Sequence, residues 1–117
     1  MLNAIDLRIG NWVNIPGEGL TQIHNGNNID VVVLQGAEAI PITEELLLEM
    51  GFIKRDEKAI YDIKGNNFAY QLSNHRVTVY HPGNQYWHWL GTHIDYVHQL
   101  QNLFYCIVGY DLTLRGI

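Results

Sequence analysis

One cysteine, one serine, three prolines and few charges are what this sequence has least of, and each scarcity removes a class of protein. Cys106 stands alone, so no disulfide can close within the chain, and the fold is expected not to depend on an oxidising compartment. Ser73 is the single serine and has no G-x-S-x-G context, which leaves a hydrolase triad without a nucleophile. No stretch approaches the roughly 18 apolar residues that suggest a membrane span, and Met1 to Trp12 lacks a basic start followed by an apolar run. No membrane partner is expected, and cytoplasmic residence is the default expectation. The glycines follow neither a P-loop nor a dinucleotide-binding pattern, so no cofactor is expected.

Charged residues make up 16% of the 117 residues, against roughly 25% in an average soluble domain. Asparagine fills much of the gap: there are eleven, several paired or beside glycine, as in Asn25-Gly26-Asn27-Asn28 and Gly65-Asn66-Asn67. Asparagine tolerates the left-handed backbone of tight turns, so the polar surface is expected to be largely uncharged and turn-rich. The net charge of −5 is unevenly spread. Residues 1–50 hold Asp6, Glu18, Asp30, Glu38, Glu44, Glu45 and Glu49 against Arg8 alone, seven negative charges and one positive, or −6. Lys54, Arg55, Lys58 and Lys64 make a modest basic patch further on. Binding to phosphate backbones needs clustered cations, so nucleic acid is disfavoured as a partner of this acidic chain, and weak binding through that patch is retained only as an alternative.

The chain length suits one domain, 1–117, and the pattern divides it into four stretches. Residues 1–42 read as a β-meander, small and barrel-like: Trp12 to Ile15, Leu20 to His24 and Ile29 to Gln35 as strands, with Pro16-Gly17-Glu18-Gly19 as a turn. Residues 43–51 read as a short helix. Thr43 is its N-cap, Glu44 and Glu45 complement the dipole, and Gly51 ends it with Leu47 and Phe52 as the apolar pair of a Schellman stop. Residues 52–91 read as an antiparallel sheet of four to five strands, Phe52 to Arg55, Ala59 to Ile63, Phe68 to Leu72, Arg76 to His81 and Tyr86 to Leu90, joined by short turns. Residues 94–108 read as an amphipathic C-terminal helix whose arc of Tyr96, Val97, Leu100, Leu103, Phe104, Ile107 and Val108 packs on the sheet of residues 52–91, with Gly109 as the stop and Tyr110 to Ile117 as a terminal strand or frayed tail. The fold class is therefore α+β.

Six histidines invite a metal reading. If Pro82 to Gln85 forms a four-residue hairpin loop, His81 opposes Tyr86 and Val79 opposes His88, and His75 is the nearest third ligand. No HExxH or Cys/His spacing accompanies His75, His81 and His88, so scattered polar or half-buried histidines are the competing reading. On the opposite side of that hairpin Arg76, Thr78 and Tyr80 line up with Trp87 and Trp89, a strip able to stack a sugar, a base or a peptide. The competing reading places these aromatics in the core. Asp95 and His98, at i, i+3 on the last helix, could form an acid–base couple, and Cys106 lies near a helix C-terminus, where the dipole opposes a thiolate. No catalytic residue is assigned.

Three segments carry a resemblance: Asp6-Leu7-Arg8-Ile9-Gly10-Asn11-Trp12-Val13, Ile40-Pro41-Ile42-Thr43-Glu44-Glu45 running to Gly51-Phe52, and Tyr96-Val97-His98-Gln99-Leu100-Gln101-Asn102-Leu103-Phe104 running to Gly109. Together they resemble a group of small uncharacterised proteins encoded in prophages and mobile elements of gut bacteria. Ala39 and Leu46 depart from that group's pattern, which often has Pro and Trp there. The resemblance implies a phage or mobile-element setting and supplies no activity, fold or site. With no catalytic constellation, the functional expectation is a non-enzymatic interaction module that binds a protein partner or itself. The alternative is a metal-dependent protein or enzyme using His75, His81 and His88.

Overall fold

The computed structural model describes residues 7–24, 29, 33–55, 60–63, 68–81, 86–109 and 112, with the backbone alone at 55, 80–81 and 86–92. In chain order the elements are β1 (Trp12–Ile15), β2 (Gly19–Gln22), α1 (Glu44–Glu49), β3 (Ile53–Arg55), β4 (Ile60–Ile63), β5 (Phe68–Gln71), β6 (Arg76–His81), β7 (Tyr86–His93) and α2 (Val97–Val108). Two antiparallel sheets with a short and a longer helix make the fold α+β. Contacts divide the chain into two compact units, one from Met1–Pro41 with Tyr96–Asp111, the other from Ile42–Asp95 with Leu112–Ile117.

In the first unit β1 and β2 form a hairpin with Trp12 opposite Gln22 and Ile15 opposite Gly19. Gly17 and Gly19 both sit at φ +86, a left-handed backbone that side chains resist, which is why this turn carries two glycines. Strand alternation buries Val13 and Ile15, which join Leu7, Ile23 and Ala37 in a core cluster. The other side of β1 is bridged by Glu38, whose N–H and C=O exchange bonds with Asn14 at 2.7 and 2.9 Å.

The expected third strand is not there. Ile29, Val33 and Leu34 have helical backbone, although Ile29 to Gln35 is rich in β-branched residues. Helical spacing puts Ile29 and Val33 on one face, and both pack against the core cluster while Leu34 is 87% exposed. Burial of that face outweighs a β preference that amounts to at most ~1 kcal/mol per site.

The longer helix, expected to dock on the sheet of residues 52–91, makes its strand contact within its own unit with β1 of the hairpin. It starts at Val97, three residues later than its pattern suggests, because the preceding residues are held extended: Ile94 N–H bonds to the His75 carbonyl at 2.7 Å. Tyr96 is the N-cap, with its N–H bonded to Gln99 Oε1 at 3.2 Å, and Pro41 is its bridge partner. Val97, Leu100, Gln101 and Phe104 form the buried stripe at i, i+3, i+4 and i+7. Ile107, expected in that arc, is 41% exposed, because the stripe ends one turn before the helix does.

In the second unit the strands run in sequence order, β3-β4-β5-β6-β7, every neighbour antiparallel. Phe68, Ala69 and Tyr70 of the central strand β5 are all buried, so that strand is covered on both faces. Tyr61, Tyr70 and Val77 stand in register across β4, β5 and β6 and form a buried row. The α1 helix has the expected ends. Thr43 Oγ1 accepts the Leu46 N–H at 3.3 Å. Gly51 takes φ +95, so Phe52 N–H reaches Leu47 O at 3.0 Å and Gly51 N–H reaches Leu48 O at 3.1 Å. Leu47, Met50 and Phe52 are buried. The turn segments expected at 25–28, 56–58, 64–67 and 82–85 lie outside the described residues, as does the tail from 110 apart from the buried Leu112.

Candidate functional site

Chemistry-bearing side chains meet in the second unit around the β5–β6 turn. Its last residue, His75, is the one described non-glycine residue with positive φ, +56, at a cost of about 1–2 kcal/mol relative to ordinary backbone. Two bonds hold it there. The His75 carbonyl accepts the Ile94 N–H, and the imidazole Nδ1 lies 2.9 Å from the Tyr70 hydroxyl. Tyr70 is fully buried and donates its single proton to the Ile94 carbonyl at 2.5 Å. Its oxygen can therefore only accept from His75, which places the neutral ring's proton on Nδ1 and leaves Nε2 as the acceptor. Asp95 Oδ1 is 3.8 Å from the same Nδ1, and both side chains are about half exposed, at 43% for His75 and 51% for Asp95. Burial, reinforced by the Asp95 charge, pushes the Tyr70 phenol well above its usual range. Tyr61 is pushed up to about 12, first by burial and then by Glu44, whose Oε2 accepts its hydroxyl at 2.8 Å.

The arrangement gives one oriented imidazole beside one carboxylate, enough to accept a proton or offer a single ligand. Among the described residues no group of three or more His, Cys, Asp or Glu could hold a metal ion. Of the metal set, His75 is committed through Nδ1 to Tyr70, and the side chains of His81 and His88 lie outside the described residues. The backbone register of the β6–β7 hairpin is the one its spacing implies, with His81 opposite Tyr86, Val79 opposite His88, Tyr80 opposite Trp87 and Thr78 opposite Trp89. Arg76 pairs with His93 across an irregularity before Thr78 and is half-buried. The side chains of Tyr80, Trp87 and Trp89 also lie outside the described residues, as do that of Arg55 and the whole of Lys58 and Lys64, while Lys54 is exposed. Asp95 precedes α2, which begins at Val97, so Asp95 and His98 do not share the helix on which an acid–base couple was expected. Instead Asp95 faces His75, and His98 is buried with its ring stacked on Tyr96 at 6.2 Å. Cys106 is exposed near the end of α2.

A second cluster, in the first unit, was not anticipated. Gln101 is fully buried, yet its amide is paired at both ends: Oε1 accepts the Trp12 N–H at 2.9 Å and Nε2 donates to Gly10 O at 3.0 Å. Asn11, also fully buried, donates to Asn102 Oδ1 at 2.8 Å and accepts the Arg8 N–H at 2.8 Å. Arg8 in turn donates to Gln101 O and Ile9 O, and its guanidinium carbon lies 4.6 Å from the Tyr105 ring centroid. The segments 7–12 and 96–105 are thus clasped by polar groups. On the outside of the clasp Ile9 is 52% and Tyr105 46% exposed, joined by the Arg8 side chain. The signal in the sequence was a polar Gln101 at an apolar position of the helical stripe. No described helix is long and apolar enough to cross a membrane. Comparison with protein-family models, curated proteins and solved structures finds no match to this chain.

Proposed function

We propose that the chain is a non-enzymatic interaction module whose first unit recognises a protein partner, in a cytoplasmic setting and as an accessory of a phage or mobile element. The observation that carries the reading is the surface formed by Ile9, Arg8 and Tyr105. It joins an exposed aliphatic group, a guanidinium and an aromatic ring, and of these residue types arginine and tyrosine are enriched at the energetic centres of protein interfaces. Both neighbours of that surface are fixed, since Arg8 is bonded to Ile9 O and Gln101 O, so a partner would meet a preorganised face. Affinity capture from the native host with light scattering of the purified complex tests it. A stoichiometric complex is expected, and a strict monomer that captures nothing contradicts it.

The second reading, a metal-dependent protein or enzyme through His75, His81 and His88, draws on the free Nε2 that the Tyr70 bond leaves on His75. Elemental analysis and titration with zinc or nickel separate the two, because the interaction module requires no metal. Weak nucleic-acid binding through Lys54 and its neighbours ranks third, with a salt-dependent shift of a labelled oligonucleotide as its test.

A further inference from the structure

We draw no further inference here: the strongest candidate, the pairing of half-exposed His75 at the β5–β6 turn with Asp95, belongs to the site already described and, among the described residues, gathers no third metal-ligating group.

Discussion

Replacing Gln101 by methionine isolates what the buried amide does, because methionine keeps the length, the unbranched shape and the helix preference while removing both polar atoms. In the native chain Oε1 is the acceptor for the Trp12 N–H, and with methionine no side-chain acceptor replaces it. A buried N–H left unpaired costs about 1–3 kcal/mol. Gly10 O loses one donor at 3.0 Å but keeps the Gln22 Nε2–H at 3.3 Å, so this end costs only about 0.5–1.5 kcal/mol. The sum is about 1.5–4.5 kcal/mol, offset slightly by the better transfer of a thioether into a buried site. Urea titration followed by circular dichroism at the helix band reads it as a lower midpoint with an unchanged slope. For a chain of this size the same loss lowers the melting temperature by on the order of 10 °C. A change under about 0.5 kcal/mol would mean that water or a rearranged backbone satisfies Trp12 without Gln101, and the clasp would not hold the first unit together.

Four further outcomes follow from the same geometry. Thr43→Ala removes the acceptor of the Leu46 N–H and should cost about 1 kcal/mol in the same titration, and Gly51→Ala should cost about 1–2 kcal/mol because φ +95 excludes a Cβ. Both effects should be absent if α1 contributes nothing to the second unit. Tyr61 and Tyr70 are neutral in the fold with phenol pKa values above the ordinary 10, so their contribution to stability is complete below pH 10 and is lost as the pH rises through the folded values, about 12 for Tyr61. Absorbance at the phenolate band, compared between the native chain and the Tyr61→Phe and Tyr70→Phe variants, should place these two ionisations above pH 10, and a step near pH 10 for either would contradict the burial. His75→Asn keeps a residue tolerant of the left-handed backbone but withdraws the imidazole from Tyr70, whereas His75→Leu adds the strain of a bulky side chain at φ +56. Thermal melting should rank native above Asn above Leu, and equal melting of all three would show that the turn is not constrained by this bond.

The elements legible in the sequence are those whose signals are local. The ends of α1 follow from Thr43, Gly51 and Phe52 within one short segment, and the β6–β7 register follows from a loop length. The region from Ile29 to Gln35 misled because its β-branched run is a weak local preference, and the face it buries is decided by Val13, Ile15 and Ile23 from elsewhere in the chain. The start of α2 was displaced for the same kind of reason, since the pairing of Ile94 with His75 has no trace in helical periodicity. The cluster around His75 was half legible: a histidine in a turn was visible, but a buried tyrosine five residues earlier and a carboxylate twenty residues later meet it only through the sheet. The clasp was the least legible part, because Gln101, Asn11 and Asn102 look like surface residues until their partners about ninety positions away are known. The bonds of these residues give them a structural role.

The claim that recognition lies on the Ile9–Arg8–Tyr105 surface, outside the clasp that builds the unit, is tested most directly by the affinity of a captured partner for two single variants, Ile9→Ser and Tyr105→Ala. Each should weaken binding at least about tenfold, the loss expected of a residue at the centre of an interface, while melting stays within a few degrees of the native chain. A partner bound equally well by both variants would contradict it.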